Sequence, residues 1–105
     1  MEIIETTIFT RQIQELLKDE EYRRLQLALL SKPDLGAVIP RSGGLRKVRW
    51  PGKGHVKRGG VRVIYYWVKI QERILMLLIY AKAEQDDLTP DQVKVLRKII
   101  EEEYP

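Results

Sequence analysis

Cysteine is absent from the 105 residues, and histidine occurs once, at position 55. The first absence excludes a disulfide framework, a thiolate metal site and a cysteine nucleophile. The second excludes a metal site built from several histidines. No apolar run approaches the roughly 20 residues that a bilayer-spanning helix requires. The opening MEIIETT is too acidic and too poor in apolar residues for a secretory signal. A chain of this length is expected to form one domain, residues 1–105, with a modest core. No metal and no cofactor are expected. Cytoplasmic location and no membrane contact are the matching expectations.

Acidic residues are scarce in one place. Residues 41–73 hold ten lysines and arginines against the single acid Glu72. The flanks are the reverse, five basic against seven acidic in residues 1–40 and four against seven in 74–105. A net charge of +4 is therefore concentrated in the middle of the chain, where it attracts phosphate backbones. Within that stretch, LRKVRW alternates Leu45, Lys47 and Arg49 against Arg46, Val48 and Trp50. VRVIYYW sets Val61, Val63 and Tyr65 opposite Arg62, Ile64 and Tyr66. The period of two predicts two strands, each with one cationic face. Pro51, Gly52, Gly54, Gly59 and Gly60 interrupt regular structure between them, and Lys53, His55, Lys57 and Arg58 make that loop basic. Cations interleaved with aromatic residues favour a polyanion surface over a merely solvated one.

The remaining pattern predicts an α+β fold. A short first strand through Ile3 and Ile4 precedes a helix capped by Thr10, with Phe9, Ile13, Leu16 and Leu17 on its apolar face. A second helix is expected from about Glu20 to Pro33, and a short strand over Leu35–Ile39. The near-continuous hydrophobicity of RILMLLIYA, residues 73–81, predicts a strand covered on both faces and central in the sheet. Thr89-Pro90-Asp91-Gln92 carries a capping residue, a proline at the first helical position and a glutamine at the third. The expected architecture is one twisted antiparallel sheet with two N-terminal helices and a C-terminal helix, all packed on one side.

This order and these residues resemble the RelE/ParE superfamily of toxins from bacterial toxin–antitoxin pairs, and within it the HigB-like, RelE-type branch. The resemblance covers nearly the whole chain. It is carried by GGLRKVRW, the glycine-flanked basic loop, GGVRVIYYW and the strand end IYAKAEQDDLT. It implies a RelE-like microbial RNase-type fold and a toxin that cuts translated mRNA in the ribosomal A site, without metal. By position, Lys47 and Arg49 match a basic pair on the family's first central strand, Arg62 an arginine on the next, and Lys82 a basic residue after the last strand. Well-studied members carry an arginine directly after the Lys82 position and a tyrosine near the start of the final helix, where this chain has Ala83 and, roughly, Thr89. The implied partners are the ribosome with its mRNA and a cognate antitoxin of helix-turn-helix type. DNA would be met only indirectly, through that antitoxin.

Cleavage by the RNA's own 2′-OH needs a proton acceptor, a stabiliser for the charged phosphorane and a donor to the leaving 5′ oxygen. Lysine and arginine can supply the second directly. Arg62 with Arg49 is the expected grip on the phosphate. Proton transfer would fall to a lysine crowded among cations, for which Lys47, Lys53, Lys57 and Lys82 are the candidates. His55 and Tyr80 are secondary candidates, as Lys57 is for catalysis proper. Arg46, Lys53, Lys57, Arg58 and Tyr66 are expected to hold RNA, the tyrosine by stacking. The competing readings are a ParE-like inhibitor that binds DNA gyrase and a non-catalytic RNA-binding module.

Overall fold

The computed structural model describes residues 1–56 and 58–103; the side chain of His55 lies outside that description. The chain runs β1 (Glu2–Glu5), α1 (Thr7–Leu16), α2 (Asp19–Ser31), β2 (Ala37–Val38), β3 (Arg46–Trp50), a 3₁₀ turn (Gly54–Val56), β4 (Val61–Val68), β5 (Arg73–Ala81) and α3 (Pro90–Glu103). This is the expected α+β class. Its five strands lie in the order β1-β5-β4-β3-β2, so β4 is the middle strand and β5 lies between it and β1. Most of β5 is buried, as its two-sided hydrophobicity requires.

Two expectations about the sheet need correcting. The sheet is mixed, because β1 runs parallel to β5, with Glu2 opposite Arg73 and Glu5 opposite Met76. Strand β1 is followed by two helices, not a hairpin, and these carry the chain to β2 at the opposite edge. A crossover of that length leaves the returning strand free to lie parallel. An ion pair at 3.0 Å from Arg73 Nε to Glu2 Oε1 marks the start of this register. The helices, moreover, lie on both faces. Phe9, Ile13, Leu25 and Leu29 of α1 and α2 pack with Val48, Val63, Tyr65, Ile74 and Met76. Ile100 and Leu96 of α3 join a separate cluster with Leu45, Ile64, Val68, Leu75 and Leu77. A sheet whose inner strands are apolar on both sides must be covered on both.

Local chemistry sets the helix starts. Thr6, not Thr10, caps α1: its Oγ1 accepts the Phe9 N–H at 3.1 Å. Thr10 lies within the helix and its hydroxyl donates to Glu5 at 2.6 Å. Helix α3 begins as expected, with Thr89 Oγ1 accepting the Gln92 N–H at 3.1 Å and Gln92 Oε1 accepting the Thr89 N–H at 2.9 Å. Among the described residues no helix is long and apolar enough to cross a membrane.

Tyr65 fastens the α2–β2 connection to the sheet. Its buried hydroxyl donates to the Pro33 carbonyl at 2.7 Å and accepts the Gly36 N–H at 2.8 Å. Burial pushes its phenol pKa up. Tyr65→Phe keeps the ring and removes both bonds, so it is expected to cost about 1–3 kcal/mol of stability. Urea unfolding should show a lower midpoint at unchanged slope.

Candidate nucleic-acid interface

The strand register assembles the cationic residues. Arg49 of β3 lies opposite Arg62 of β4, and Arg62 lies opposite Tyr80 of β5. Cross-strand partners share a face of the sheet, about 5 Å apart between Cα atoms. Lys47, opposite Ile64, stands two residues along β3 on that same face. It is the face covered at its apolar end by α3. Lys82 follows directly on β5. Its backbone N–H donates to the Gly60 carbonyl at 3.1 Å, and its Cδ lies only 3.0 Å from where a Cβ on Gly59 would stand. Lys47, Arg49, Arg62, Tyr80 and Lys82 thus form one group, at the seam between β3–β4–β5 and the loop that enters β4.

Their environments differ sharply. Arg49 and Lys82 are exposed. Arg62 is only 4% exposed, and its Nη1 donates to the Gly59 carbonyl at 3.0 Å and the Val61 carbonyl at 3.3 Å. Among the described residues no carboxylate lies within ion-pair distance of it. A buried cation held by carbonyl dipoles alone leaves much of its field available to an incoming anion. Tyr80 is 7% exposed, and its buried hydroxyl has no hydrogen-bond partner among the described residues. Burial, with a further contribution from Asp87, pushes its pKa up to about 12, against an opposing pull from Arg62. The phenol therefore keeps its proton at neutral pH and is a donor, not a base.

Other expected binding residues stand elsewhere. Arg46 pairs with Tyr65 on the α1/α2 face, and its Nη1 donates to the Gly36 carbonyl at 2.8 Å and the Asp34 carbonyl at 3.4 Å. It is a strut for the α2–β2 connection, not part of the cationic group. Lys53 Nζ donates to the Gln14 carbonyl, and its backbone N–H to the Leu16 carbonyl at 3.0 Å. The lysine thus sits at the negative C-terminal end of α1, where a cation is favoured. Tyr66 shares the face of Arg62 but packs into the α3 cluster, four residues along β4, roughly 13 Å at strand rise. Arg58 is exposed in the turn before Gly59. Lys57 and the His55 side chain lie outside the described residues.

One participant escaped the sequence reading. Asp87, in the loop between β5 and α3, pairs through Oδ1 with Lys47 Nζ. The Lys47 ammonium beside it holds the Asp87 carboxyl below its usual range. Lys47 is accordingly matched with an acid and not simply crowded among cations. The acidic pair Asp86-Asp87 just ahead of the Thr89 cap was the available signal, but no spacing rule links it to a strand 40 residues away. An open groove of about 670 Å³ begins at this ion pair and runs between β2 and the first half of α3, past Ala37, Ile39, Leu88 and Val93. Among the described residues no group of three or more His, Cys, Asp or Glu could hold a metal ion. No protein-family model matches the chain.

Proposed function

We propose that this protein is a RelE-type, HigB-like toxin that inhibits translation by cutting mRNA on the ribosome. The observation that carries the reading is the in-register row of Arg49, Arg62 and Tyr80, with Lys82 closing one end over Gly59. Such a row suits a phosphodiester. Exposed Arg49 takes a phosphate oxygen bidentately, while buried Arg62 supplies a fixed positive potential beneath it. The 2′ oxygen attacks the adjacent phosphorus and yields a 2′,3′-cyclic phosphate as the bond from phosphorus to the 5′ oxygen breaks. Exposed Lys82 is the candidate to shuttle the protons that leave the 2′-OH and reach the 5′ oxygen. Tyr80, protonated and with its hydroxyl buried, lies beside Arg62 in the row and does not itself touch the phosphorane. A cognate antitoxin of helix-turn-helix type, the ribosomal A site and a cytoplasmic setting belong to the same proposal, and they rest on the sequence resemblance alone.

The test is primer extension on total RNA after a brief induced pulse of the protein in bacteria, beside Arg49→Ala. Wild-type protein should leave cuts inside translated reading frames. Arg49→Ala, whose side chain is exposed, should fold normally and cut about ten- to a hundredfold less, the loss of one charge-assisted contact. Intact messages with growth arrest and altered DNA topology would transfer the function to gyrase binding. RNA retention without cuts would make the face a docking surface only.

A further inference from the structure

We propose that Asp87 is a displaceable counter-ion, a carboxylate that occupies the Lys47 ammonium until an RNA phosphate takes its place. The inference rests on the RNA reading above and adds to it a residue that sets how strongly the resting protein holds RNA.

Of the cationic group, Lys47 is the one member with an acidic partner among the described residues. The partner is unequal to it in exposure. The Asp87 side chain is 72% exposed on a loop, while that of Lys47 is 29% exposed on a strand. When the pair separates, the aspartate regains water at little cost and the lysine remains where the sheet places it. The carboxylate is nonetheless presented in a defined way. Gln85 Nε2 donates to the Asp87 carbonyl at 2.9 Å and also reaches Gln92 Oε1, the oxygen that closes the α3 capping box on the Thr89 N–H. The loop carrying Asp87 is therefore braced to the start of α3, while the carboxylate itself stands exposed to solvent.

A carboxylate and a phosphate compete for one ammonium through the same charge-assisted hydrogen bond. Asp87 thus reduces the attraction of the open face for any stray polyanion. A strand that also engages Arg49 and the field of Arg62 makes several contacts at once and can displace it.

The experiment measures affinity for a short, fluorescein-labelled, fully 2′-O-methylated single-stranded RNA, which binds without being cut, by anisotropy at low salt. Asp87→Asn should bind about two- to fivefold more tightly, the range for an exposed ion pair. Asp87→Glu, which can restore the pair, should return toward wild type. Glu84→Gln removes the same charge from an exposed position on the same loop and controls for net charge. In a Lys47→Ala background, Asp87→Asn should give no gain beyond that control. Tighter binding that vanishes with Lys47 supports the counter-ion role. Binding by wild type with equal gains from Asp87→Asn and Glu84→Gln, or a gain that survives Lys47→Ala, overturns it and leaves the RNA reading standing. No RNA binding by any variant overturns both.

Discussion

On the proposed function, Arg62→Met is expected to abolish RNA cleavage, by about a hundred- to a thousandfold, while the protein remains as stable as wild type or becomes more so. The two halves of that result have one cause. Arg62 is 4% exposed, and among the described residues it is held only by the Gly59 and Val61 carbonyls through Nη1, with no carboxylate at ion-pair distance. Burying a cation without an opposite charge costs stability, and an apolar side chain of similar length removes that cost while filling the volume. Alanine is the wrong probe, because it adds a cavity and leaves the two carbonyls without a donor. On the proposed function, the charge acts on the open face shared by Arg49 and Lys82. Single-turnover cleavage of a ribosome-bound message, beside thermal melts of the same preparations, checks both halves. A Met variant that cuts at the wild-type rate would remove Arg62 from the mechanism. One that melts far below wild type would assign the arginine a structural role.

The second large effect belongs to Gly60. A Cβ at this position would lie 2.4 Å from the Trp50 carbonyl oxygen, a backbone atom that cannot step aside without moving the β3 end. Its φ of +65 is also one that alanine adopts only at a cost of about 1–2 kcal/mol. With the overpacking, Gly60→Ala is expected to lose about 3 kcal/mol or more, and the melting temperature should fall by roughly 12 °C or more. Gly59 provides the contrast. Its φ is +78, but the obstructing atom is the flexible Lys82 Cδ at 3.0 Å. Gly59→Ala should therefore cost less stability and act mainly by displacing the Lys82 side chain. Equal melting temperatures for the two variants would show that the Trp50 contact does not set the loop.

Much of this arrangement was legible in the residues. The alternation of LRKVRW separated Lys47 and Arg49 from Arg46, and that of VRVIYYW separated Arg62 from Val61 and Val63; the register of β3 on β4 then put Lys47, Arg49 and Arg62 on one face. The limits of β5 and the cap of α3 followed from hydrophobic runs and from Thr89-Pro90-Asp91-Gln92. The apolar character of β5 on both faces already implied a second covering layer, so placing all helices on one side conflicted with the chain's own pattern. Thr6 and Thr10 are equally good residue types for the α1 cap, and only the hydrogen bond to Phe9 separates them. The duties of Lys53 and Arg46 were hidden for a related reason. A lysine in a basic loop reads the same whether its ammonium meets phosphate or, as here, a carbonyl in the last turn of a helix.

By itself the sequence determined which residues alternate, where the chain must turn, and that positive charge would collect on β3 and β4, because these depend on local geometry and composition. Tertiary structure decided how the strands meet. Ile64 pairs with Leu78 but Tyr65 pairs with Met76, so Leu77 is an extra residue in β5. Ile74 and Met76 face α1 and α2, and unbroken alternation would send Tyr80 to the same side. The bulge reverses the parity and turns Tyr80 toward Arg62. The meeting of Asp87 with Lys47 has the same origin, since contacts between distant segments follow from the packing of whole elements and no local period encodes them.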